Sequence, residues 1–140
     1  MDAMVIVLFG YYAIHGRSFR LPLTYSLFYG MRFICQAVYA MKPYEGFYWD
    51  YPGFPSLVVP YGATNDFFYS GHVGCCMLCF LEFGRMGWYK IRWLCIFTMV
   101  CQVLLMTVTR GHYSIDMISG FFFAHYFYLL TEKYIDPPCE

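Results

Sequence analysis

The chain has 140 residues, a one-domain length, with 60% apolar or aromatic residues and only 13% charged, where soluble domains carry roughly 25% charge. A chain of this size leaves roughly a third of its surface exposed after folding, so a mean hydropathy of +0.47 excludes an ordinary water-soluble enzyme and a disordered tail. Nine basic residues balance nine acidic ones, and without a basic excess a nucleic-acid partner is excluded as well. The class expected is all-α: a polytopic transmembrane helical bundle with four or five spans, residues 1–140 forming a single membrane domain.

In chain order, residues 3–14 form the first apolar stretch, about a dozen residues and short for a crossing. Asp2 stands where a signal peptide would carry basic charge, and no small-residue cleavage site follows, so this stretch is read as a truncated or tilted helix. Residues 22–41 form the second span. Between 42 and 66 lie Pro43, Pro52, Pro55 and Pro60 among many aromatics. Proline at that density forbids a continuous helix, and aromatics suit the headgroup zone, so an ordered surface loop is expected. Residues 67–83, 91–108 and 113–130 complete the spans, each near the roughly 17–25 residues a crossing requires.

With alternating spans, Arg17, Arg20, Arg85, Lys90, Arg92 and Lys133 share one side, and only Lys42 and Arg110 lie on the other. The basic side is then cytosolic. The aromatic loop, the start of the third span and the junction before the last share the lumenal face, or the intermembrane-space face in a mitochondrion. Six of the seven cysteines lie in apolar runs and read as small core hydrophobes. Cys76 and Cys79 form a CxxC, but no second pair follows at zinc spacing, and no metal or cofactor is expected.

Two stretches on that non-cytosolic side combine ionisable groups with the start of an apolar helix: Asn65 to His72 and Thr109 to Asp116. Intramembrane ionisable residues are costly and suggest function. His112 and Asp116 are four apart, one helical turn, so the carboxylate can fix the imidazole tautomer and raise the nucleophilicity of the other nitrogen. His72 faces them as a second imidazole able to carry a proton. One imidazole attacking a phosphoester while the other protonates the leaving oxygen is the chemistry such a pair can perform. Arg110, with the backbone amides around Gly71 and Gly111, would neutralise phosphoryl charge. Against this stands the structural reading, in which a histidine at a helix end is an interfacial residue and the His–Asp pair a brace.

Ser70–Gly71–His72 followed by GHYSID at Gly111–Asp116 resembles the type-2 phosphatidic acid phosphatase superfamily. The match is to its branch of sphingomyelin synthases and plant phosphatidylcholine:diacylglycerol cholinephosphotransferases. The phrase DFFYSGH and the segment FYGMRFICQAVYAM around Arg32 look like that branch too, and the likeness runs from about Arg20 to Leu130. The resemblance implies metal-independent, two-step transfer of a phospho-headgroup such as phosphocholine from a phospholipid to a lipid alcohol, ceramide or diacylglycerol. His112 would be the nucleophile, Asp116 its orienting carboxylate and His72 the acid–base partner. Arg110, Arg32, Ser70 and Gly71 would hold phosphate. The superfamily phosphatases' lysine-bearing first motif is absent here, which favours transferase over phosphatase. Family members have six crossings, so either another chain completes the lipid cavity or the activity has been lost. The latter gives the alternative expectation: a silent structural subunit of a larger membrane complex, such as a mitochondrial respiratory assembly.

The remaining candidates divide evenly or towards packing. Trp49 and Tyr48, with Tyr44 and Tyr51, could cage a quaternary ammonium or form an interfacial belt. Arg32 could contact phosphate or pair with Asp66. His15, Glu82 and His125 are assigned no chemistry.

Overall fold

The computed structural model describes residues 2–16, 18–39, 68–109 and 112–135, and all the regular structure among them is helical. The helices are α1 (Asp2–His15), α2 (Arg20–Val38), α3 (Gly71–Arg85), α4 (Tyr89–Val108) and α5 (Ser114–Ile135). The surface loop expected over 42–66, with Trp49, Tyr48 and Asp66, lies outside the described residues, as do Arg17, Arg110 and Gly111.

The helix boundaries have local causes. Pro22 sits in the first turn of α2, where its missing N–H is one of the orphan donors, so the helix starts two residues earlier than the proline suggests. Ser70 caps α3: its backbone is extended and its side chain accepts from Val73 N–H, so α3 begins at Gly71 rather than near residue 67. The α3–α4 turn is a Schellman closure: Gly87 N–H donates to the Gly84 carbonyl and Trp88 N–H to the Phe83 carbonyl. Gly87 takes φ +75°, a left-handed conformation that side chains resist, and the Trp88 and Phe83 rings stack at 5.6 Å.

α3 is the central helix, packing against α1, α2, α4 and α5. Its residues explain this position. Gly71, Gly74, Cys75, Cys76 and Cys79 are small and buried, and small residues let neighbouring helix backbones approach closely. Gly74 lies directly against the Phe28 ring of α2. α4 and α5 each pack on α3 but not along each other, and an apolar cleft separates them.

The end of the bundle opposite His72 and His112 is held by charge. Arg20 of α2 lies 3.9 Å from Glu82 of α3 and 3.4 Å from Glu132 of α5, while Arg85 contacts Glu82 at 3.0 Å. The Tyr12 hydroxyl of α1 also reaches Glu82, at 3.3 Å. The Arg20 guanidinium lies over the Tyr128 ring at 4.3 Å, and the Thr24 and Thr131 hydroxyls meet at 2.7 Å. Arg20 and Glu82 are both essentially inaccessible, so each needs the other to offset its desolvation.

The outward faces are greasy: Phe33, Ile34, Trp93, Phe97, Val108 and Phe122 are among many large apolar side chains left exposed. Among the described residues one helix, α4, is both long and apolar enough to cross a membrane. α3 has 15 residues, about 22 Å of helix against a hydrocarbon core of about 30 Å. α2 carries Arg20 and Arg32, and α5 is rich in tyrosine and other polar groups.

Candidate active site

The site lies where the first turns of α3 and α5 meet. α5 opens on Ser114, which puts Asp116 at its third position, where a carboxylate can reach back to the N-terminal N–H groups. Asp116 Oδ2 accepts from Tyr113 N–H at 3.1 Å and contacts His112 Nδ1 at 3.3 Å. The same oxygen that secures the helix start therefore holds the imidazole. Asp116 is fully buried and the His112 side chain is 6% exposed. Facing a carboxylate oxygen, Nδ1 carries the proton, which leaves the lone pair on Nε2. The second Asp116 oxygen, Oδ1, is buried with no hydrogen-bond partner among the described residues.

Backbone bonds tie this unit to α3. Ser70 N–H donates to the Asp116 carbonyl at 2.8 Å, and the Ser119 hydroxyl donates to the Phe68 carbonyl at 2.9 Å. Gly120 makes the approach possible, because a Cβ there would sit 2.6 Å from the Ser70 carbonyl oxygen. These contacts set Ser70, Gly71 and His72 at the level of the His112–Asp116 pair. His72, in the first turn of α3, is 8% exposed.

Arg32 reaches the same end from α2. Its Nε–H donates to the Tyr69 carbonyl at 3.1 Å, and a Cβ on Gly71 would stand 3.3 Å from that nitrogen and 2.9 Å from the Tyr29 hydroxyl. The Tyr69 hydroxyl donates to the Phe28 carbonyl at 2.6 Å and fixes the residue before the cap. A guanidinium, a helix N-terminus and a carboxylate-braced imidazole thus converge, an arrangement suited to an anionic phosphoester.

Of the residues singled out by sequence, His112, Asp116, Ser70, Gly71, His72 and Arg32 lie at this one end, whereas Arg110, Trp49 and Tyr48 fall outside the described residues. Ser119 and Gly120, the residues that dock α5 on the α3 cap, were not anticipated. Their positions three and four beyond Asp116 place them on its helical face, a usable signal. His125 and Glu82 lie elsewhere, Glu82 in the charge cluster at the opposite end. Cys75, Cys76, Cys79 and Cys95 are buried free thiols, and no cluster with metal-ligand composition occurs among the described residues.

A family model described as AtPDCT1/2 matches residues 53–133, more than half of the chain. The match takes in α3, α4 and nearly all of α5, hence His72, His112 and Asp116, but not Arg32. No curated protein and no solved structure matches.

Proposed function

Because this chain belongs to the AtPDCT1/2 family, a phosphatidylcholine:diacylglycerol cholinephosphotransferase family, we propose that it moves phosphocholine between diacylglycerol backbones within a membrane. The observation that carries the reading is the His112 Nδ1–Asp116 Oδ2 contact of 3.3 Å in a fully buried carboxylate setting, joined to the α3 cap by Ser70 N–H.

In this mechanism His112 Nε2 attacks the phosphorus of phosphatidylcholine. The bond from phosphorus to the glycerol oxygen breaks, and protonated His72 gives its proton to the departing oxygen, releasing diacylglycerol. Asp116 stabilises the imidazolium character that develops on His112. An incoming diacylglycerol hydroxyl then attacks the phosphorus as His72, now neutral, takes its proton; the phosphorus–nitrogen bond breaks and both histidines return to their starting states. Arg32, with the amides at the α3 N-terminus around Ser70 and Gly71, neutralises the phosphoryl oxygens. Arg110 is assigned the same role, and Trp49 and Tyr48 are assigned to the choline.

The helices are read as a polytopic bundle, with the short α3 buried among the others and α4 facing lipid. Arg20, Arg85, Lys90, Arg92 and Lys133 mark the cytosolic end, which puts the histidine end on the non-cytosolic face.

The test is headgroup exchange in proteoliposomes. Choline-labelled phosphatidylcholine is supplied with diacylglycerol of a distinguishable acyl composition, and ceramide replaces diacylglycerol in a second arm. Labelled phosphatidylcholine carrying the new acyl chains is the expected product, absent with His112→Ala. Release of free phosphocholine would make the protein a hydrolase, and no turnover with any acceptor would leave the silent-subunit reading.

A further inference from the structure

The cleft between α4 and α5 begins beside the candidate site. Its nine lining residues are all Val, Leu, Ile, Met or Phe, and it encloses about 490 Å³, within the range of roughly 300–1,000 Å³ usual for small-molecule sites. Val73, at its floor, follows His72 in α3; Met117, at its upper edge, follows Asp116 in α5. The cleft therefore lies at the histidine end of the bundle, one residue along α3 from His72 and one along α5 from Asp116. From Met117 to Phe122 the lining descends α5 by about 8 Å. Its outer rim is open, since Val100, Leu104, Ile118 and Phe122 are each about half exposed or more. Such a cleft has nothing to offer water, which needs polar partners, and Met99 and Met117 supply adaptable walls.

We infer that the α4–α5 cleft is the seat of the acyl chain of the glycerolipid substrate, holding its proximal stretch so that the phosphorus or hydroxyl above it is presented to His112 and His72. The inference rests on the proposed transfer for the identity of the lipid, and on the cleft's composition and its nearness to the first turns of α3 and α5 for its place. Lipid gains access sideways, through the open rim between the two helices, without leaving the bilayer. The gap exists because α4 and α5 both pack on α3 rather than on each other.

The experiment uses the full chain in phosphatidylcholine nanodiscs with a phosphatidylcholine that carries a photoreactive diazirine near the start of one acyl chain. Crosslinks are expected at Met99, Val103, Met117 and Phe121, and excess unlabelled diacylglycerol should suppress them without suppressing those at Phe33 and Ile34 on α2. Val103→Trp, which fills the cleft, should abolish the suppressible crosslinks and raise KM by about tenfold with a smaller effect on kcat. Leu105→Trp, on the side of α4 turned away from the cleft, should change neither. If Val103→Trp does not fold, Val103→Phe serves, read by the same crosslinks. Uniform labelling of all exposed apolar residues, unaffected by diacylglycerol, would mean bulk lipid only and overturn the assignment. His112→Ala separates the two readings: it should lose transfer yet keep the suppressible crosslinks. Saturable cleft labelling in a wild-type chain that transfers nothing would sustain the seat and refute the proposed reaction.

Discussion

Replacing Gly120 with alanine tests whether the docking of α5 on the α3 cap sets the catalytic geometry. The added Cβ would lie 2.6 Å from the Ser70 carbonyl oxygen and 3.1 Å from its nitrogen, whereas ordinary contact begins at 3.4 Å. Both atoms are backbone, so no side chain can swing aside and the helices must part by at least 0.8 Å. The Ser70 N–H to Asp116 carbonyl bond, now 2.8 Å, would stretch past hydrogen-bonding range. Overpacking of this kind costs about 1–3 kcal/mol, and a lost buried bond about 1 kcal/mol more. His112 and Asp116 would move with α5 while His72 stays with α3. A misplacement approaching 1 Å lowers the rate by about 10–100-fold. The expected outcome of the exchange assay is therefore a reduced kcat with KM little changed, together with a lower thermal midpoint in detergent. Gly30→Ala is the matched control: no atom lies within 4 Å of its Cβ position, and alanine there should be neutral or stabilise α2 by up to about 1 kcal/mol. Wild-type kcat and an unchanged midpoint for Gly120→Ala would refute the argument.

Asp116→Asn keeps the shape of the brace but removes the charge that stabilises the His112 imidazolium; kcat should fall by about 10²–10⁴-fold in the same assay, with folding preserved. Glu82→Gln leaves Arg20 buried beside a neutral amide. Breaking a buried pair outright costs about 3–5 kcal/mol, but Arg20 keeps its part-exposed partner Glu132 at 3.4 Å, so a drop in thermal midpoint towards the lower end of that range is expected, whereas protein that remains folded should turn over normally because this cluster lies at the opposite end from His72 and His112. Gly87→Ala meets no atom within 4 Å, so its effect is conformational alone: about 1 kcal/mol from the left-handed backbone, seen as a small midpoint shift with no change in exchange rate.

The helical class was legible in the sequence, because apolar runs of helical length with so few charges admit little else, and so were the residues on which the proposed chemistry rests. The pairing of His112 with Asp116 was legible from their spacing, but not its cause: His112 precedes α5, which opens at Ser114, so the contact comes from Asp116 reaching back past the helix start rather than from a shared helical face. The same spacing rule could have added Ser119 and Gly120. The pairing of Arg85 with Glu82, three residues away, was readable for the same reason. Tertiary structure decided what depends on neighbours. Glu82 is also the partner of Arg20, 62 positions away, and no local pattern encodes that meeting. Arg32 turned to the Tyr69 carbonyl because α2 and α3 interlock through Phe28 and Gly74. The start of α3 moved inward because a serine side chain captured its amide. The α4–α5 cleft exists only because two helices share α3 as a support, and a gap left by packing is a property of three helices together, not of any one of their sequences.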